Sequence, residues 1–191
     1  GYTIQEDGSF ILFMEKGKIA HWTGSDELEI LIENIPEAEN GRFNDVAADP
    51  RGRVFCGTLL KGEKGSLYRM DTDQTLTCLI KDVGCANGIG FTPDRKQMYF
   101  TDSTTKTIYL FDYNIETGDI TNQRDFVVTP EGEGVPDGMT VDAEGNIWSA
   151  RWDGFGIFKY SPEGELLDKV ELPTGKTSSV IFGGESYTDM Y

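Results

Sequence analysis

The sequence predicts an all-β protein of the β-propeller class, with about four blades covered by this chain. Three observations lead there. A motif recurs every 43 to 49 residues, short β-rich runs separate turn signals, and no segment carries an amphipathic helical face over three turns. The motif is a polar residue, a short apolar stretch, a turn rich in Asp, Pro and Gly, then apolar and aromatic residues. Its copies are Asn44 to Phe55, Asn87 to Tyr99, Asp137 to Trp148 and Ser178 to Tyr191. The aligned aromatics Phe55, Tyr99, Trp148 and Tyr191 lie 44, 49 and 43 residues apart, and Ile11 of a partial earlier copy lies 44 before Phe55. Within each period the runs are short and rich in β-branched and aromatic residues. Leu28-Glu-Ile-Leu-Ile32 and Thr107-Ile-Tyr-Leu-Phe-Asp-Tyr113 read as strands, and Glu116-Thr-Gly118 as a turn. About four strands per ~45 residues is one propeller blade. One small sheet cannot cover both of its faces, so blades stack and bury each other.

Composition agrees and excludes other classes. Of 191 residues, 38% are hydrophobic and 12% aromatic, enough for a real core. No apolar run nears the ~18 residues of a membrane-spanning helix. Asp and Glu number 33 against 17 Lys and Arg, a net charge of −16. Such a surface repels phosphate backbones and anionic lipid, so neither nucleic acid nor membrane is expected as a partner. Acidity fits solubility or cation binding. The three cysteines form no C-x-x-C and His21 is the single histidine, which argues against a Cys/His zinc site. The cysteines are expected as small buried hydrophobes in a reducing, cytoplasmic setting.

The polar residue that opens each repeat carries the functional expectation. Rotation about a propeller axis brings Asn44, Asn87 and Asp137 to equivalent positions at one mouth of the channel. Two amide oxygens and a carboxylate are hard donors suited to Ca²⁺, Mg²⁺ or Mn²⁺, or to a catalytic Zn²⁺ with water. Gly88 and Gly138 follow Asn87 and Asp137 and leave room for a sharp backbone course. Asn-Gly and Asp-Gly are equally plain turn signals, so spacing alone leaves turn and ligand both open. Other motifs fall away. Gly175-Lys-Thr177 lacks the glycine and the helix of a phosphate-binding loop. Asp71-Thr-Asp73 lacks the Gly and Glu of an EF-hand loop and reads as a hairpin turn. His21 beside Trp22 reads as an ordinary strand residue.

At these residues the chain resembles the SMP-30/gluconolactonase/luciferin-regenerating-enzyme (regucalcin-like) family. The resemblance rests on Gly41-Arg-Phe-Asn-Asp45, Gly65-Ser-Leu-Tyr68, Ala86-Asn-Gly-Ile89, Tyr99-Phe-Thr-Asp-Ser103, Pro136-Asp-Gly-Met139 and Phe182-Gly-Gly184, in this order along the whole sequence. It implies a six-bladed propeller with one divalent cation, Ca²⁺ foremost, with Zn²⁺, Mg²⁺ and Mn²⁺ as alternatives. It assigns the cation to Asn87 and Asp137, and the substrate pocket to Arg42 and Asn44. The family's third ligand is a Glu of the first blade, for which this sequence has no matching segment. Six blades need roughly 270 residues, so residues 1–191 are expected to be one propeller domain whose first blade and closing strands lie outside the sequence. A closed four-bladed ring is the alternative. An open sheet edge would also favour self-association.

The activity so implied is hydrolysis of a small sugar-derived lactone to its aldonic acid. Asp137 is then both cation ligand and base for the attacking water, while Arg42 and Asn44 hold substrate oxygens. Two other readings compete: a non-catalytic propeller that binds calcium or a small ligand, and a protein-interaction scaffold. A scaffold needs no such polar set, and a pure calcium binder has no need of Arg42.

Overall fold

The computed structural model describes residues 1–191 as two compact units, Gly1–Ala86 and Asn87–Tyr191. The first unit holds β1 (Tyr2–Ile4), β2 (Phe10–Phe13), β3 (Ile19–Trp22) and β4 (Glu29–Ile32) in one sheet. Its second sheet is β5 (Gly41–Ala48), β6 (Val54–Leu60), β7 (Gly65–Met70) and β8 (Leu76–Val83). A single 3-10 turn, Pro36–Ala38, joins them. The third sheet, β9 (Ala86–Phe91), β10 (Gln97–Asp102), β11 (Thr107–Tyr113) and β12 (Ile120–Val128), opens the second unit. The fourth is β13 (Val135–Val141), β14 (Ile147–Trp152), β15 (Gly156–Tyr160) and β16 (Leu166–Glu171). A short pair follows, β17 (Phe182–Gly183) and β18 (Asp189–Met190). Each four-stranded sheet runs in chain order, the up-and-down unit that the repeat predicts. The aligned residues Ile11, Phe55, Tyr99 and Trp148 all fall on the second strand of their sheet.

In the second, third and fourth sheets the last strand is the most exposed. β6 and β10 are buried along nearly their whole length, whereas β16 is almost wholly exposed. Between the first two sheets, Phe13, Ile19, Phe43, Val54 and Cys56 form one core, with the Phe13 and Phe43 rings edge-on at 5.3 Å. In the second unit Tyr99, Ile108, Leu110, Met139, Ile147, Phe158 and Tyr160 do the same. Burying the sheet faces this way is the main source of stability. Among the cysteines, Cys56 is the buried hydrophobe expected of all three. Cys78 departs from that expectation, because it stands exposed on the outer strand β8, where only one face can be covered. Asp71 to Gln74 is a hairpin turn, and His21 lies in β3, bonded to Ser9 and Glu29.

The turn between the first two strands of a sheet needs a left-handed residue. Gly52 (φ 80°) and Gly145 (φ 88°) supply it at no steric cost, and the third sheet uses Arg95 at φ 60°. A side chain in that region costs about 1 kcal/mol. Arg95 is exposed, so little packing is lost by removing it, and relief of the strained conformation is expected to outweigh glycine's greater freedom in the unfolded chain. Arg95→Gly is therefore expected to raise Tm by roughly 2–4 °C. A lowered Tm in a thermal melt would contradict this account of the turn.

Candidate functional site

The repeat-opening residues lie on the first strand of each sheet, and the strands are not regular there. In β5, Phe43 pairs with Thr58 but Val46 with Cys56, so Asn44 and Asp45 together oppose one residue. In β13, Pro136 pairs with Arg151 but Met139 with Ser149, which places the same irregularity at Asp137 and Gly138. A β-bulge breaks the alternation of side chains and re-aims the bulged residue. Two sheets thus carry one device at the equivalent motif position. Asn87-Gly88 lies inside β9 and Asp137-Gly138 inside β13. The turn reading of these dipeptides is therefore excluded.

The two glycines serve close approach instead. A Cβ on Gly88 would fall 2.7 Å from the Asp137 carbonyl oxygen and 3.0 Å from Thr101 Oγ1. A Cβ on Gly138 would fall 2.7 Å from Ser179 Oγ, and the Gly138 N–H donates to the Ser178 carbonyl at 2.9 Å. Only glycine lets the backbone beside Asn87 touch the backbone of Asp137.

Asn87 is buried, 6% exposed, and Asp137 is half-buried. Asn87 Nδ2 donates to Ser103 Oγ at 2.7 Å, and Ser103 Oγ donates to the Pro136 carbonyl at 2.5 Å. The amide nitrogen is thereby turned toward Ser103 and Oδ1 away from it. No three His, Cys, Asp or Glu side chains gather to hold a metal. The donors in this unit are one amide oxygen and one carboxylate. Both are hard oxygen ligands of the kind Ca²⁺ takes, so these residues fit such an ion, with water and substrate able to fill further positions.

In the first unit the structure brings Arg42 and Asn44 together. Arg42 Nη1 donates to Asn44 Oδ1 at 2.6 Å and to the Phe43 carbonyl at 2.9 Å. Asn44 Nδ2 donates to the Ala86 carbonyl at 2.7 Å and lies 4.0 Å from Cys85 Sγ. The Asn44 amide is held from both ends, and the exposed Arg42 guanidinium keeps further N–H groups for a ligand. Burial pushes the neighbouring Asp45 carboxyl above its usual range, against the pull of the Arg42 charge. Sequence reasoning passed over Ser103. Its place in Tyr99-Phe-Thr-Asp-Ser103 was visible, but its partners lie 16 and 33 residues away.

Comparison with known proteins follows the same lines. Residues 1–191 match the SMP-30/Gluconolactonase/LRE-like region family. The chain is 45% identical to the pentonolactonase XacC of Haloferax volcanii over 193 aligned positions, covering 100% of this chain and 65% of that protein. It is 38% identical to regucalcin of Bos taurus, covering 87% of this chain and 59% of the relative. Among solved structures it superposes on a luciferin-regenerating enzyme with a TM-score of 0.88 at 33% identity, covering 96% of this chain and 65% of the other. On a calcium-binding regucalcin from Agrobacterium tumefaciens the TM-score is 0.90 at 25% identity, with coverages of 99% and 65%. The chain spans about two-thirds of the length of these relatives, or slightly less. The fold is that of the β-propellers of this group. Family match, sequence identity and superposition converge: this chain belongs to the SMP-30/gluconolactonase/LRE-like family.

Proposed function

We propose that the protein is a divalent-metal-dependent hydrolase that opens sugar-derived lactones to aldonic acids. The observation that supports this reading lies in the second unit, where the Asn87 amide is turned by Ser103, Asp137 sits in a β-bulge, and the Gly88 backbone closely approaches the Asp137 carbonyl. The 45% identity to a pentonolactonase supports the substrate class. A bound cation, Ca²⁺ foremost, would polarise the lactone carbonyl and hold its developing negative charge. Asp137 would help hold the cation and would take the proton of the attacking water. Asn44, beside Arg42, hydrogen-bonds substrate hydroxyls in this reading. Arg42 donates to substrate oxygens through its free N–H groups. In this reading the domain closes as a six-bladed ring.

The reading is tested by incubating the purified protein with five- and six-carbon aldonolactones and following acid release. Turnover above the spontaneous rate supports it. A protein that binds Ca²⁺ but releases no acid from any of them favours the non-catalytic binder instead. Arg42→Ala is expected to raise KM about tenfold with little change in kcat, as removal of a binding contact does. A lowered kcat at unchanged KM would argue against Arg42 as a substrate anchor.

A further inference from the structure

We propose that Ser103 is the positioning residue that sets both cation-ligating groups of the second unit at once. The proposal rests on the cation reading above and adds to it the source of the site's geometry. Ser103 follows β10 and is 7% exposed. A hydroxyl has one proton and two lone pairs. The Pro136 oxygen, 2.5 Å away, can only accept, so the Ser103 proton is committed to it. The atom of Asn87 that lies 2.7 Å from Ser103 Oγ must then be a donor. That requirement fixes the amide with Nδ2 toward Ser103 and Oδ1 away from it. Reversing the amide would set Oδ1 against oxygen lone pairs with no proton between them.

The other arm acts on Asp137. Pro136 has no N–H, and its ring locks φ near −65°. The Pro136–Asp137 peptide plane therefore turns only about the Pro136 ψ angle, and the bond from Ser103 pins the carbonyl of that plane. The plane leads directly into the bulge at Asp137 and Gly138. One hydroxyl thus orients the side chain of one ligand and the backbone of the other. Outer partners of this kind set the orientation of metal ligands, and losing one costs about 10- to 100-fold in metal affinity.

The experiment titrates Ca²⁺ calorimetrically into wild type, Ser103→Ala, Ser103→Thr and Ser149→Ala. Ser149 is a fully buried serine of the fourth sheet whose hydroxyl bonds only the Ala150 carbonyl, at 3.3 Å. It controls for the general cost of losing a buried hydroxyl. Ser103→Ala is expected to bind Ca²⁺ about 10- to 100-fold more weakly. Ser103→Thr, which keeps the hydroxyl, and Ser149→Ala are expected to stay within about threefold of wild type. A second readout needs no cation. The Asn87 side-chain amide signals, assigned by their absence in Asn87→Ala, should be protected from hydrogen exchange in wild type and unprotected in Ser103→Ala. Unchanged protection in Ser103→Ala overturns the proposal, as does wild-type Ca²⁺ affinity in that variant or an equal loss in Ser149→Ala. Wild type that binds no Ca²⁺ while its Asn87 amide loses protection in Ser103→Ala upholds the positioning role and defeats the cation reading alone.

Discussion

Asp137→Ala is expected to lower lactone turnover by a factor of about a thousand or more. The carboxylate has two proposed tasks, and alanine removes both. Loss of a general base alone costs about 10²- to 10⁴-fold. Loss of a ligand would weaken the proposed cation, whose task is to stabilise the transition state. Asp137→Asn separates the tasks, because it keeps one oxygen donor and removes the basic group. It should retain measurable Ca²⁺ binding while kcat falls nearly as far as in the alanine variant. The fold should tolerate both changes, because Asp137 is only half-buried and its bulge is fixed by the backbone of Pro136 and Gly138. The checks are kcat and KM beside a thermal melt. Near-normal hydrolysis by Asp137→Ala would remove Asp137 from the mechanism.

Asp49→Ala is expected to destabilise the first unit by about 3–5 kcal/mol. The Asp49 side chain is fully buried and pairs with Arg53 Nε at 2.6 Å, the Arg53 side chain being 8% exposed. The same carboxylate accepts from the N–H groups of Arg51 at 2.8 Å and Arg53 at 3.0 Å, which closes the β5–β6 turn. Alanine leaves a buried guanidinium and two backbone donors without this acceptor, and an uncompensated buried charge is costly. For a chain of this size the fall in Tm should be roughly 10 °C. Arg53→Met is expected to cost less, because Asp49 keeps both backbone N–H bonds and methionine fills the apolar space. Urea denaturation of the two variants gives the comparison. Equal losses would mean that the ion pair, and not the turn, carries the energy.

The fold and the candidate site differ in how far the sequence reveals them. The repeat was legible because aromatic and apolar residues must recur wherever one blade face covers the next. That spacing placed Ile11, Phe55, Tyr99 and Trp148 on equivalent strands. Outer strands such as β16 were harder to read, because an exposed edge imposes little pattern on Leu166 to Glu171. Asn87 and Asp137 stood out by their place in the repeat, yet Asn-Gly and Asp-Gly alone read equally well as turns. What removes the turn reading is that both dipeptides lie inside strands, β9 and β13, which only pairing with neighbouring strands decides. Ser103 was silent for the same reason. A serine after a strand has no local signature of a bond to a carbonyl 33 residues further on.

The most direct test of the account is lactone hydrolysis by the purified protein before chelation, after it, and after divalent cation is restored. Acid release from an aldonolactone should fall to the spontaneous rate in excess EDTA and return on adding Ca²⁺, Mn²⁺ or Zn²⁺ in wild type, but not in Asp137→Ala. Hydrolysis that continues undiminished in EDTA would contradict the cation at Asn87 and Asp137, and with it the proposed chemistry.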